Sequence, residues 1–217
     1  MKTENGSHAL AHVPPEDGTK RNTLNRTPDH PIDSIFLERW SPRSFDASCI
    51  PHGDLMTILE AARWAPSAYN IQPWRFIFAL REDACWPGYL SLLDPFNAAW
   101  AKHASALVFL ASDSLMPADE NGVRKPSPCH TFDTGSAWAH LALQATALGY
   151  HTHAMAGIHV DRAAAALALP AHFQIQVAIA IGRQASANTL PEGLRQREQP
   201  SDRRPLGKSV FAGHYRG

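Results

Sequence analysis

The 217-residue sequence has no charge excess of either sign: Lys+Arg 20 against Asp+Glu 20 leaves a formal net charge of +0. Without a basic excess it does not read as a general nucleic-acid binder, whose affinity comes from neutralised phosphates. Without a large net charge it does not read as a disordered polyion. Cysteine is scarce, and Cys49, Cys85 and Cys129 lie far apart with no CxxC. That spacing argues against a disulfide framework and a thiolate zinc site, and suits a reducing compartment. No long hydrophobic run exists; the longest strongly apolar stretch, at 104–111, is far short of the ~20 residues that span a bilayer. The first twenty residues lack the apolar centre of a signal peptide. The expectation is a cytoplasmic protein with no membrane and no nucleic-acid partner. Also missing are a GxGxxG after a strand and a GxxxxGK[ST], the marks of a Rossmann dinucleotide site and a P-loop.

What is present is ordinary globular composition, 44% hydrophobic and 18% charged, with an unusual 12 histidines. A chain of this length buries about 70% of its unfolded surface, enough for one sizeable core. Residues 1 to about 30 are polar and rich in Pro, Gly, Asn and Thr, and read as a mobile arm. The folded domain then runs over 31–217. Asp33 caps a short helix carrying Ile35, Phe36 and Trp40. Pro51 and Asp54 open a stronger one, with Leu55, Met56, Ile58, Leu59 and Ala62 at helical spacing and Pro66 as its stop. In 74–80 the residues Trp74, Phe76, Phe78 and Leu80 alternate on one face of a strand, whereas 107–111 is apolar throughout and reads as a central strand covered on both faces. Asp133 starts a helix closed by Gly149, a short strand follows near 151–155, Asp161 caps an Ala-rich helix, and 175–181 is a further strand. Helices alternating with about four strands imply an α+β or α/β domain of three layers, with helices on both faces of a sheet. The polar segment 113–132 is long for an internal loop, and a lid and a disordered excursion stand as equal alternatives.

Three segments carry groups suited to a planar, anionic ligand. RWSPRSF, residues 39–45, offers two guanidiniums and hydroxyls at a helix-to-loop transition, and the arginine fork matches phosphate oxygens; surface charge is the plain alternative. PSAYNIQPW, residues 66–74, sets Ser67, Asn70 and Gln72 between prolines; a simple turn would use the same residue types. RRPL, residues 203–206, ends a stretch from Arg183 to Lys208 with six basic residues (Arg183, Arg195, Arg197, Arg203, Arg204, Lys208) against three acidic ones (Glu192, Glu198, Asp202), and a solvated tail explains it equally.

In this order, with these strands between them, the segments resemble the FMN-dependent nitroreductase family. NAAW at 97–100, DTGSAWAHLALQATALG at 133–149 and MAG at 155–157 add to the likeness, which runs from about residue 33 to the end; PSxxNxQPW is its most specific element. The resemblance implies an α+β fold of α/β/α layers with a mixed, mostly antiparallel sheet, in an intertwined homodimer with FMN at the subunit interface. It implies that Arg39, Trp40, Ser41 and Arg43 hold the phosphate, ribityl chain and pyrimidine edge. Pro66, Ser67, Ala68, Asn70 and Gln72 match the segment that reaches the flavin from the partner subunit. Asn97 matches a residue facing the ring edge, and Met155, Ala156 and Gly157 a backbone stretch beside the ring, where a peptide N–H approaches N5. Arg203 or Arg204 matches a second basic group on the phosphate, and spacing does not choose between them. A glycine at 157 is expected to let the backbone approach the ring closely.

The implied activity is hydride transfer from NADH or NADPH through FMN to a nitroaromatic, quinone or similar acceptor, by ping-pong kinetics. Other reactions of the same fold (dehalogenation, flavin fragmentation, azole oxidation) and a flavin-binding protein without turnover are the alternatives. Two positions depart from the family: Trp100 stands where some members carry lysine, and Ala156 where many carry Glu or a second Gly. His151 and His153 share one face of a strand, but no further ligand is signalled, so no metal site is expected.

Overall fold

The computed structural model describes residues 26–217; most of the arm expected at 1–30 lies outside the described residues. Residues 26–30 are tied down: Arg26 donates to the carbonyls of Leu37 (2.8 Å), Arg39 (3.0 Å) and Ser201 (3.0 Å), and Asp29 accepts from the Leu206 N–H at 2.6 Å.

The elements, in chain order, are α1 (Ile35–Glu38), α2 (His52–Arg63), β1 (Trp74–Leu80), α3 (Trp86–Ser91), α4 (Pro95–Ala101), β2 (Ala106–Asp113), α5 (His130–Ala147), β3 (His151–Met155), α6 (Val160–Ala166), β4 (Phe173–Gly182) and α7 (Glu192–Arg195). The strands form one sheet in the order β1-β2-β4-β3. Every pairing among the described residues is antiparallel, so no parallel strand of the expected mixed sheet is present in them.

The continuous apolar run of β2 has the expected cause. All eight of its residues are buried. Leu107 and Phe109 point into a cluster with Trp86, Trp100, Ala101 and Ala163 from α3, α4 and α6. Ala106, Val108 and Leu110 point into a second cluster with Leu55, Ile58 and Ala62 of α2 and Ala137, Leu141 and Ala145 of α5. The sheet therefore has a helical layer on each face. Strand β1, at the sheet edge, turns Trp74, Phe76, Phe78 and Leu80 toward α2 and α5, while Ala79 on its other face is buried in the first cluster.

Helix α5 begins at His130, three residues before the expected start at Asp133. The Asp133 carboxylate is not used as a cap; it is buried and accepts the Ala68 N–H at 3.1 Å. In the same way α6 begins at Val160, ahead of Asp161.

The segment 113–132 folds back on itself. Met116 N donates to Lys125 O (2.7 Å), Ser127 N to Ser114 O (2.8 Å), and Leu115 bridges Pro126. Arg124 closes it with a 2.5 Å ion pair to Asp113, at the end of β2. Burial pushes the Asp113 carboxyl up, but Arg124, the Leu115 N–H and nearby His172 outweigh it and hold the group below the ordinary aspartate range. A carboxyl depressed in the folded state contributes stability above its unfolded pKa and loses it as pH falls through the folded value. Protection of 114–127 against hydrogen exchange, taken relative to the intrinsic rate at each pH, is therefore expected to fall below about pH 4, and Arg124→Ala to remove most of that acid dependence.

Candidate functional site

A cleft of about 460 Å³ opens beside edge strand β3. Its wall is Arg26, Arg39, Trp40, Ser41, Arg43, His153, Arg197, Gln199, Ser201 and Arg203. Five of these are arginines and none is a carboxylate. Most of it comes from residues 39–43, which leave α1 in extended backbone, and from the C-terminal segment after α7, with Arg26 and the β3 residue His153 added.

The arginines crowd one another. Burial first, then the charges of Arg26 and Arg203, hold the Arg39 guanidinium below its ordinary pKa. Burial and then Arg197 do the same to Arg43, with Glu198 pulling the other way. Arg39 donates to Ser41 Oγ at 3.2 Å. Arg43 Nε is buried with no hydrogen-bond partner among the described residues. An anion placed here would relieve like-charge repulsion and take up an orphaned donor.

His153 closes one side. Its Nδ1 lies 2.9 Å from Pro42 O, and a carbonyl only accepts, so Nδ1 carries the proton. Burial first, and then Arg43 and against the pull of the Pro42 carbonyl, lowers its pKa. His151, one pleat along, is likewise lowered by burial and Arg39 and stands edge-on to Trp40 at 6.1 Å. The histidine pair thus belongs to the cleft wall and the strand beside it. No group of three or more metal-ligating side chains occurs among the described residues.

Asn97, Met155, Ala156 and Gly157 form a second group, where β3 runs into the N-terminus of α4. Asp94 caps α4 by accepting the Asn97 N–H at 2.7 Å. Gly157 O accepts both Asp94 N (3.0 Å) and Asn97 Nδ2 (3.1 Å). Within the chain itself, glycine at 157 has a steric reason. A Cβ there would sit 1.9 Å from Asp94 Oδ2 and 2.5 Å from Asn97 Nδ2, so the helix cap itself requires the missing side chain. The Gly157 N–H pairs with no carbonyl among the described residues. Trp100 is a core residue, 1% exposed, between Phe45 and His153 with ring centroids at 6.2 and 4.7 Å.

The third group stands apart. Pro66, Ser67, Ala68, Asn70 and Gln72 contribute nothing to the arginine cleft's wall. They form a strained protrusion in which Tyr69, Asn70 and Gln72 have φ of 52°, 54° and 49°. Non-glycine residues rarely adopt such angles, and the surroundings must impose them. Here they do so through Asp133 to Ala68 N and through Ser67 Oγ, which accepts the Gln72 N–H at 3.0 Å. Gln72 Nε2 donates to Asn70 O. Ser67 Oγ, as acceptor, and Gln72 Nε2, as donor, thus each make one bond within the segment, and the Ser67 O–H keeps its own proton to donate. Tyr69, at 91% exposed, projects from the tip.

Of the two C-terminal arginines, Arg203 lines the cleft and Arg204 does not; Arg204 faces a neighbouring cavity with Asp29, His30 and Phe36. Arg26, Arg197, Gln199 and Ser201 were not anticipated from the sequence, whereas His153, noted there on its strand, lines the cleft. The basic excess of 183–208 was the available signal for the C-terminal ones, and Arg26 had none.

The Nitroreductase family model matches residues 37–183. The chain belongs to the Nitroreductase family. Among relatives, the NADH dehydrogenase of Thermus thermophilus is 29% identical over 199 residues, covering 81% of this chain and 92% of that protein. A crystal structure of an oxidoreductase containing FMN shares 46% identity with a TM-score of 0.87, covering 89% of this chain and 97% of that one. A Desulfovibrio desulfuricans family protein solved in complex with FMN superposes with a TM-score of 0.64 at 23% identity, covering 84% and 96%, and shows the shared fold. No helix among the described residues is long and apolar enough to cross a membrane.

Proposed function

We propose that this chain is a cytoplasmic, homodimeric FMN oxidoreductase that carries hydride from NADH or NADPH to a nitroaromatic, quinone or similar small acceptor, the two substrates using one pocket in turn. The observation that carries the reading is the cleft of five arginines with the buried, unpartnered Arg43 Nε. A flavin phosphate brings about two negative charges and three acceptor oxygens, which this donor set matches. The 46% identical oxidoreductase containing FMN supports the choice of ligand. When bound, FMN supplies the two-electron chemistry that side chains lack, so no catalytic acid–base pair is required.

Within that reading Arg39, Ser41, Arg43 and Arg203 hold the phosphate end, with Trp40 as wall. The free Gly157 N–H, beside Ala156 and Met155, is the donor offered to N5 of the ring, and Asn97 holds the adjoining 157–158 peptide through its bond to Gly157 O. The protrusion at 66–72 completes the site from the partner subunit: it is rigidly held, exposed at its tip and absent from its own chain's cleft.

The two C-terminal arginines test the assignment. Arg203→Ala is expected to raise the FMN dissociation constant by about tenfold, with Arg204→Ala within about twofold of the wild type. Titration of the apoproteins by flavin fluorescence reads both. Equal losses, or a loss at Arg204 alone, would move the phosphate out of the cleft described here.

A further inference from the structure

Glu198 is an acidic side chain built into the edge of the arginine cleft, and it lies beyond the 37–183 span matched by the family. A single oxygen, Oε1, accepts the backbone N–H of Arg43 at 2.7 Å, that of Ser44 at 2.7 Å, and lies 2.8 Å from Ser44 Oγ. The Ser44 hydroxyl is also 3.1 Å from Ala185 O, so its proton is shared between the two acceptors. The other carboxylate oxygen, Oε2, is buried with no hydrogen-bond partner among the described residues.

Two consecutive N–H groups converging on one oxygen make an anion-binding concavity of the kind that elsewhere takes phosphate. Here the chain fills it with its own carboxylate. The consequence falls on Arg43: its backbone is fixed at N and its guanidinium stem enters the cleft wall, leaving Nε buried and unpartnered. The same carboxylate stands in the electrostatic field of Arg43, His151 and His153, opposing the positive charge around it.

We infer that Glu198 is a positioning residue for the flavin site: its carboxylate clamps the Arg43–Ser44 backbone so that Arg43 faces the FMN phosphate, and its charge is the cleft's internal counter-anion. The inference rests on the proposed FMN site. Its two parts separate by substitution. Glu198→Gln keeps an oxygen able to accept the N–H bonds and removes the charge. Glu198→Ala removes both.

The experiment is a titration of apoprotein with FMN, at fixed ionic strength, for wild type, Glu198→Gln, Glu198→Ala, Arg43→Ala and the double variant Glu198→Ala/Arg43→Ala. The reduction potential of each flavin-loaded protein is measured alongside. Glu198→Ala is expected to weaken binding by about tenfold in the wild-type background and by less than about twofold where Arg43 is already absent, since the clamp acts through that side chain. Glu198→Gln is expected to bind at least as tightly as wild type and to shift the potential upward, because an anionic reduced flavin gains from a more positive cleft. Equal losses from Glu198→Ala in both backgrounds would overturn the positioning role. An unmoved potential in Glu198→Gln would overturn the counter-anion role. A wild-type protein that binds no FMN would overturn this inference and the proposed function together, whereas wild-type binding with additive variants would overturn this inference alone.

Discussion

Arg43→Ala is expected to weaken FMN binding by about 10- to 100-fold, the scale of losing a charge-assisted contact to a phosphate in a partly buried cleft. The expectation follows from what the side chain lacks. Its Nε is buried without a partner, and burial together with Arg197 holds its guanidinium below the ordinary pKa. A group so placed is a cost to the unliganded protein and a gain once an anion arrives. The unliganded Arg43→Ala protein should accordingly be no less stable than wild type, while flavin should stabilise it much less, because a ligand raises stability only in proportion to its affinity. Arg43→Lys should recover part of the affinity, keeping the charge but losing the planar fork. Fluorescence titrations at two salt concentrations check this, and the loss should shrink as salt screens the exposed part of the interaction. An unchanged FMN affinity would remove Arg43 from the site.

Gly157→Ala is expected to cost about 1–3 kcal/mol of stability, the range for forcing an added carbon into packed surroundings. The new Cβ would lie 1.9 Å from Asp94 Oδ2. Asp94 cannot swing away freely, because its Oδ1 accepts the Asn97 N–H and its own N–H donates to Gly157 O. Relief therefore breaks the α4 cap, worth about 1 kcal/mol by itself, and displaces Asn97. Denaturant unfolding should show a lower midpoint with an unchanged slope, and the proposed flavin contact at 155–157 should suffer with it. Ala156→Gly, at an exposed neighbour with no such contact, should leave the midpoint within about 0.5–1 kcal/mol of wild type. A stable Gly157→Ala protein would show that this turn is free to shift.

The strands were legible because apolar patterning reports burial directly. Trp74, Phe76, Phe78 and Leu80 announce a strand with its bulky residues on one face, and the unbroken run at 107–111 announces a strand whose alternate residues serve two cores. Helix starts were less legible. Asp133 has the chemistry of a cap, but its carboxylate bonds to Ala68, 65 residues away in sequence, and no local rule anticipates that use. The crowding of Gly157 by the Asp94 cap had no sequence signal, since the two meet only in the folded chain. At the cleft, Arg39, Ser41 and Arg43 could be read from one short motif. Arg26, Arg197 and Glu198 could not, because they arrive from the two ends of the described chain and acquire meaning only where those ends pass beside β3. His153 was visible as a histidine on a strand, yet its role depends on the Pro42 carbonyl that fixes its proton on Nδ1.

The most direct test of the central claim is the visible absorbance spectrum of the purified full-length protein after incubation with FMN and removal of free flavin, followed by anaerobic addition of NADH or NADPH. A protein that holds FMN in the arginine cleft stays yellow through the removal step, bleaches with one or both nucleotides, and loses its colour in the Arg39→Ala/Arg43→Ala double variant. A colourless protein that takes up no added FMN contradicts the account.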